Sequence, residues 1–129
     1  MSKYIVDAWA WVEYLIGSER GARVKEILDE DGNEVYLCAI TLAEVISKVA
    51  REGRNTQAAY AMLSGNSQIV NIDGKLSLEA GMLHFEMRKT SKDFGIADAY
   101  ALATARKLKS KVLTGDPHFK GLKEAVLIK

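Results

Sequence analysis

The chain has 129 residues, 48% of them apolar and 27% charged, and its formal net charge of +1 at pH 7 excludes a polycation that binds nucleic acid through charge alone. No apolar run approaches the roughly 18 residues that span a bilayer, and the N-terminus lacks the cleavage site of a signal peptide. The length and composition predict a single domain over residues 1–129. The one cysteine, Cys38, lies in an apolar run and can form no internal disulfide, so we expect the protein in the reducing cytoplasm.

Short β-type runs alternate with helical patterns along the chain. Strands are expected at 3–8, 34–40, 67–72, 111–114 and 125–129. Helices are expected at 9–17, 18–32, 41–53, 55–66, 76–89 and 96–109. This alternation predicts an α/β sandwich around a mainly parallel sheet.

The helix expected at 76–89 is rich in large apolar side chains. We expect Leu78, Met82 and Phe85 to face the core. Met82 and Met87 are interpreted as core-filling residues, because methionine fits irregular gaps.

Three acidic residues are expected at one edge of the sheet. Asp7 ends the first β-type run, Asp116 follows the fourth, and Asp98 lies in the first turn of a helix. The carboxyl ends of parallel strands meet at one edge, which is where such sheets bind ligands. A helix that starts at this edge would bring Asp98 to the same place, and Glu44 is the fourth candidate acid.

Each acid also has a local explanation. Asp7 can cap the helix that follows it, and Asp98 can favour its helix N-terminus electrostatically. Glu44 fits the Thr-x-x-Glu capping box that begins at Thr41, and Asp116 fits an Asx-turn before proline. Both interpretations remain open for each residue, although four acids at one edge make four separate coincidences less attractive.

A carboxylate cluster predicts a site for Mg²⁺ or Mn²⁺, because hard oxygen ligands suit these ions. The sequence has no Cys/His spacing for zinc, no P-loop and no GxGxxG motif. His84 and His118 lack the partners of a nucleophilic triad, and we expect a surface or core role for both.

A resemblance to the PIN-domain family is carried, in chain order, by the segments YIVDAWAWVEYL, TLAEVISKV, IADAYALATARKL and VLTGDPHF. It covers nearly the whole chain and is most specific in the last two segments. The length is similar to that of VapC-type toxins of toxin–antitoxin pairs. The resemblance implies a three-layer α/β/α sandwich with a central parallel sheet and a metal-dependent endoribonuclease site.

The resemblance also implies roles for individual residues. By position, Asp7, Glu44, Asp98 and Asp116 match the family's acidic quartet, and Thr114 matches its hydroxyl residue near the metal. Asp7 and Asp98 would then be the principal ligands of Mg²⁺ or Mn²⁺. Glu44 and Asp116 would be further or water-mediated ligands, and Thr114 would orient the site.

One position departs from the family pattern. The family usually has Ser or Thr two residues after the first Asp, and here that place is Trp9. The change removes a polar contact near the site and leaves the four acids untouched.

Basic residues are concentrated in the C-terminal third. Residues 87–123 carry nine bases and three acids, whereas residues 1–50 carry five bases and nine acids. We expect contacts with an RNA backbone from Arg88, Lys89, Lys92 and Lys107, and an ordinary solvated face is an equally open interpretation.

Three functions remain open. The first is a toxin ribonuclease held inactive by an antitoxin whose basic side chain enters the acidic pocket. The second is a PIN-type nuclease of RNA processing without a toxin role, and the third is a non-catalytic module whose carboxylates bind Mg²⁺ or cap helices. The resemblance and the apolar excess in AWAWVEYLIG and AAYAML also imply a homodimer.

Overall fold

Five parallel strands form the central sheet of the computed structural model, which describes residues 2–128. The strands are β1 (Lys3–Val6), β2 (Glu34–Cys38), β3 (Gln68–Val70), β4 (Lys111–Thr114) and β5 (Ala125–Leu127). They lie in the order β3-β2-β1-β4-β5, and each neighbouring pair is parallel. The predicted parallel sheet is therefore confirmed. Lys129, which the sequence placed in the last strand, lies outside the described residues.

Helices connect the strands. They are α1 (Ala8–Ile16), α2 (Glu19–Asp29), α3 (Ala39–Arg51), α4 (Thr56–Gly65), α5 (Gly74–Arg88) and α6 (Ile96–Leu108). A short 3-10 turn, Pro117–Phe119, follows β4. Helix α3 begins at Ala39 rather than at Thr41, so the expected strand at 34–40 was two residues too long. Across residues 2–128, no helix is both long enough and apolar enough to cross a membrane.

The helices cover both faces of the sheet, which gives the three-layer α/β/α sandwich. Helices α5 and α6 pack on one face with Ile5 and Leu102, and α1 to α4 pack on the other with Val6 and Trp11. Successive side chains of a strand point to opposite faces, so the neighbours Ile5 and Val6 belong to two different cores. Burial on both sides explains why the strands are continuously apolar in sequence.

The inward face of α5 differs from the prediction. The residues that are buried or pack against the core are Leu76, Ala80, Leu83 and Met87. Leu78, Met82 and Phe85 are instead 66%, 63% and 65% exposed, so the predicted inward face was wrong, as was the core-filling role of Met82. Apolar residues lie on two sides of this helix, so sequence spacing fits either side. Packing against α6 selects the side that is buried.

Strands β1 and β4 are neighbours at the centre of the sheet. The chain adds β2 and β3 on one side of β1 and then β4 and β5 on the other, which creates a topological switch point between β1 and β4. Val6 pairs with Leu113 in register, and the N–H of Asp7 donates to the Leu113 carbonyl at 3.2 Å. Asp7 and Thr114 therefore lie at the same edge, where such sheets form ligand-binding crevices.

Candidate metal centre

Asp7 is the most deeply buried of the four predicted acids, with 5% of its surface exposed. It is the N-cap of α1, and its Oδ1 accepts the N–H of Ala10 at 2.9 Å, which confirms the capping role. Its Oδ2 accepts the hydroxyl of Thr114 at 2.5 Å. Burial raises the pKa of Asp7 to about 7, although both hydrogen bonds act to lower it, and the charges of Asp98 and Asp116 raise it further.

The buried hydroxyl of Thr114 links the first acid to the last. Besides donating to Asp7, it accepts the backbone N–H of Asp116 at 2.9 Å. Thr114 is the last residue of β4 and is fully buried, so its hydroxyl has a fixed position. The family resemblance implies that Thr114 orients the site, and a hydroxyl in this fixed position could do so.

Asp98 and Asp116 each close a local turn. Asp98 Oδ2 accepts the N–H of Gly95, the N-cap of α6, at 2.9 Å. Asp116 Oδ1 accepts the N–H of His118 at 2.9 Å as the N-cap of the 3-10 turn. The local explanations are thus confirmed for both residues. Each of these bonds engages one carboxylate oxygen, and a carboxylate has lone pairs for further partners.

Asp98, Asp116 and His118 lie together in space. Each brings one ligand atom to a position within 4.8 Å of the other two, and all three side chains are partly buried. The sequence had indicated a surface or core role for His118, whereas the structure places it beside two acids. The Asp-x-His spacing could have indicated this position from the sequence. The turn capped by Asp116 brings His118, two residues later, close to the Asp116 carboxylate.

Glu44 completes the acidic edge from α3. The N-cap of α3 is Cys38, so Thr41 lies inside the helix and Glu44 in its second turn, and the capping-box explanation was wrong. Glu44 is exposed, yet partial desolvation of its carboxyl raises its pKa, and the charge of Asp98 adds to this effect.

Asp98 is the acid that connects the others electrostatically. Its own pKa is raised by burial and by the charge of Asp116, against the Gly95 hydrogen bond and the two histidines, which lower it. Asp98 in turn raises the pKa values of Asp7 and Glu44. The four acids predicted from the sequence therefore share one electrostatic environment, although Asp7 and Asp116 are 109 positions apart.

The predicted basic residues divide into two groups. His84, Phe85, Arg88, Lys89 and Lys92 line an open cleft of about 510 Å³ at the end of α5. This cleft lies on the side of Asp98, because His84 acts on the pKa of that carboxyl. Lys107 is nine residues after Asp98 on α6, about 13 Å along the helix axis, and so lies away from the acids.

The side chain of Trp9 packs next to the acidic cluster. Its six-membered ring lies against Gly115, where an added Cβ would be 2.2 Å from Cη2. The guanidinium of Arg20 lies over the ring, 5.7 Å from its centroid. The residue that departs from the family pattern therefore takes up space beside the backbone that joins Thr114 to Asp116.

The donor set fits a divalent cation. Burial and mutual repulsion raise the pKa values of Asp7, Glu44 and Asp98, and a bound cation would relieve that repulsion. Nδ1 of His118 is buried and has no hydrogen-bond partner among residues 2–128, although it lies 3.0 Å from Asp116 Oδ1. Two electron-rich atoms in this arrangement are suitable ligands for one ion.

The fold and the site together define the class of protein. It is an α/β/α sandwich with an all-parallel sheet and an acidic cluster at the switch point of that sheet. The sequence matches the family described as PIN domain over residues 4–125, so the chain belongs to the PIN-domain family. The resemblance noted in the sequence is thereby confirmed.

Solved structures share this fold at low sequence identity. A toxin–antitoxin complex from Klebsiella pneumoniae is 19% identical, with a TM-score of 0.77 and 98% of each chain covered. VapBC2 from Rickettsia felis, bound to a fragment of its promoter DNA, is 18% identical, with a TM-score of 0.73 over 97% of this chain and 96% of that one. VapC20 from Mycobacterium tuberculosis, a toxin that cleaves the sarcin–ricin loop, is 20% identical, with a TM-score of 0.68 over 84% and 85%. Comparison with curated protein sequences found no match.

Proposed function

We propose that this protein is a metal-dependent endoribonuclease of the cytoplasm that hydrolyses RNA phosphodiester bonds and acts as the toxin of a toxin–antitoxin pair. The observation that carries the proposal is the convergence of Asp7, Asp98 and Asp116, from three distant parts of the chain, on the switch point of a PIN-domain sheet. The similar folds include toxin–antitoxin complexes and an RNA-cleaving toxin, which supports both the chemistry and the toxin role.

The acids would hold Mg²⁺ or Mn²⁺. Asp7 and Asp98 are the principal ligands in this proposal, and Glu44 and Asp116 act directly or through water. An ion held there supplies a water of lowered pKa and neutralises charge on the scissile phosphate. Thr114 keeps the Asp7 carboxylate oriented towards the crevice.

The cleft at the end of α5 would bind the RNA backbone. Arg88, Lys89 and Lys92 line it beside Asp98, so they can contact phosphates on one side of the scissile bond. Lys107 is exposed further along α6, so it would contact the RNA backbone away from the scissile bond.

Two protein partners belong to the proposal. An antitoxin would inhibit the enzyme by placing a basic side chain among the acids, which would replace the cation electrostatically. A second copy of the chain would cover Leu78, Met82 and the side of Phe85 next to them on α5, while the other side of Phe85 lines the cleft proposed for RNA. Adjacent apolar side chains of this size are rarely left in water.

Cleavage of a structured RNA by the purified protein tests the proposal. We expect cleavage with Mg²⁺ or Mn²⁺, none with EDTA, and none from Asp98→Asn. If water is the nucleophile, the products carry 5′-phosphate and 3′-hydroxyl ends, and ends with a 2′,3′-cyclic phosphate would contradict this mechanism. A parent protein that binds Mn²⁺ but cuts no RNA would favour the non-catalytic module.

The genomic neighbour separates the two nuclease functions. A short reading frame immediately upstream that encodes a DNA-binding N-terminus would support the toxin. Co-expression then gives a direct measurement, since the upstream product should bind this chain and suppress cleavage. RNA cleavage that no neighbouring product suppresses would support an RNA-processing nuclease instead.

A further inference from the structure

The turn that carries His118 is fixed to the segment that carries Asp98. Phe119, the next residue in this turn, is fully buried and packs against Phe94, with 5.6 Å between the ring centroids. Phe94 directly precedes Gly95, whose N–H holds Asp98. The aromatic pair therefore packs the turn that carries His118 against the segment that leads into α6 and Asp98.

The imidazole of His118 presents a nitrogen to the acids. Nδ1 is buried, makes no hydrogen bond among the described residues and lies 3.0 Å from Asp116 Oδ1, which is an ion pair when the imidazole is protonated and a pair of ligand atoms when Nδ1 is unprotonated. Two adjacent ligands of an octahedral ion with bonds of about 2.1 Å are about 3 Å apart, so this spacing suits two ligands of one ion. One carboxylate oxygen of Asp98 lies within 4.8 Å of a ring nitrogen of His118 and of a carboxylate oxygen of Asp116.

We propose that Nδ1 of His118 is a ligand of the ion in the acidic site, and that it makes this site select Mn²⁺ over Mg²⁺. The proposal rests on the metal dependence proposed above and extends it to a nitrogen ligand. Mg²⁺ is bound through oxygen and gives up its water reluctantly, whereas first-row transition ions accept imidazole more readily. A site with two carboxylates and one imidazole therefore favours Mn²⁺ more than a site made of carboxylates alone.

Pulsed electron paramagnetic resonance of the Mn²⁺-loaded protein tests the ligand directly. We expect the electron spin-echo envelope of the parent to show ¹⁴N modulation from a coordinated imidazole, and His118→Ala to abolish it. His84→Ala is the matched control, because His84 is the other histidine of the chain and also lowers the pKa of Asp98, but is not in the group of Asp98, Asp116 and His118. It should leave the modulation intact.

Calorimetric titration tests the selectivity. His118→Ala should weaken Mn²⁺ binding by about tenfold or more, while Mg²⁺ binding changes by less than about twofold. His118→Gln provides a second variant in case the alanine variant melts early in EDTA. Equal losses for the two ions would overturn the selectivity.

The outcomes separate this inference from the proposed function. Mn²⁺ that binds and supports RNA cleavage but shows no ¹⁴N modulation overturns the role of His118 and leaves the nuclease intact. Modulation that survives in His118→Ala also overturns it. A parent that binds no Mn²⁺ at all contradicts the metal dependence of the proposed function itself.

Discussion

The hydroxyl of Thr114 donates to the carboxylate of Asp7 at 2.5 Å, although 107 positions separate the two residues in the chain. The same oxygen accepts the N–H of Asp116, so one buried side chain joins the ends of β1 and β4. Its removal leaves a buried carboxylate oxygen and a backbone N–H without this partner.

We therefore expect Thr114→Val to destabilise the protein by about 2 kcal/mol, because a polar group that loses its partner costs roughly 1–3 kcal/mol. Thr114→Ser keeps the hydroxyl and should cost less. The control is Thr104→Val, since Thr104 is also buried but, among residues 2–128, its hydroxyl bonds only the Tyr100 carbonyl within α6. Urea unfolding in EDTA measures all three, and equal losses at positions 104 and 114 would contradict the role of Thr114.

Stability without metal should fall as the pH rises from about 4 to about 7. The pKa of Asp7 is raised from 3.8 to about 7, so in this range the folded state holds a proton that the unfolded state has released. The stabilisation from the proton on Asp7 is complete below about pH 4 and is lost as the pH rises through about 7. Three pKa units correspond to about 4 kcal/mol as an upper value. Glu44 and Asp98 are shifted in the same direction.

Urea unfolding at pH 5, 6 and 7 in EDTA measures this slope, and Asp7→Asn should flatten it. Asp31→Asn, at an exposed position, should leave it unchanged. Mn²⁺ should reduce or reverse the slope, because the ion binds the deprotonated carboxylates. A stability that rises from pH 5 to pH 7 in EDTA would show that Asp7 is ionised in the folded protein.

The substitution Asp98→Asn should preserve or raise the stability of the metal-free protein and weaken its binding of metal. Asparagine keeps the oxygen that accepts the Gly95 N–H and removes a charge that repels the other acids. We expect the metal-free variant to be as stable as the parent or more stable by about 1 kcal/mol. The stabilisation by Mn²⁺, which follows mass action for an ion bound only by the folded state, should shrink.

Thermal melts with EDTA and with Mn²⁺ decide this point. The control is Asp73→Asn, because the Asp73 carboxylate also accepts a backbone N–H at a helix N-terminus, that of Leu76, but is not one of the clustered acids. It should keep the full Mn²⁺ shift. An Asp98→Asn protein that also keeps the full shift would place the metal elsewhere.

Gly115→Ala should destabilise the protein by about 2 kcal/mol. The new Cβ would lie 2.2 Å from Cη2 of Trp9, and overpacking of this kind costs roughly 1–3 kcal/mol. Trp9→Ala on its own leaves a space beside residue 115. The double variant should therefore be more stable than the sum of the two single losses predicts.

The matched glycine for this experiment is Gly65 at the end of α4, where an added Cβ meets no atom within 4 Å among the described residues. Gly65→Ala should change the stability by less than about 0.5 kcal/mol, because the position is exposed and has room for the methyl group. Chemical unfolding compares the four variants with the parent. Strict additivity between positions 9 and 115 would mean that the two side chains do not share this space.

The exposed face of α5 should carry the homodimer. Phe85→Glu places a charge among Leu78, Met82 and the same residues of a second copy, so the variant should be monomeric at micromolar concentration. Tyr60→Glu tests the other candidate face, because Tyr60 lies in the AAYAML segment of α4 and is exposed, and this variant should stay dimeric. Light scattering measures the mass, and a monomeric parent would remove the proposal.

Local patterns in the sequence determined the elements and their order. Apolar runs of β type and helical periodicity located the strands and helices to within a few residues, because the backbone hydrogen bonds and caps of these elements are local. Ser18 and Asn55, for example, cap the helices expected after them. The acids at Asp7, Asp98 and Asp116 were found by the same kind of pattern, and their capping bonds are equally local.

Tertiary structure decided what local patterns left open. The buried side of α5 depends on which neighbour it packs against, and sequence spacing allowed two sides. The Thr114–Asp7 hydrogen bond and the contact of Trp9 with Gly115 exist because β1 and β4 pair across more than a hundred residues. The turn with Asp116 and His118 lies next to Asp98, and Phe119 of this turn packs on Phe94 of the segment that precedes Asp98. Such contacts depend on the path of the whole chain, and no short stretch of sequence contains both partners.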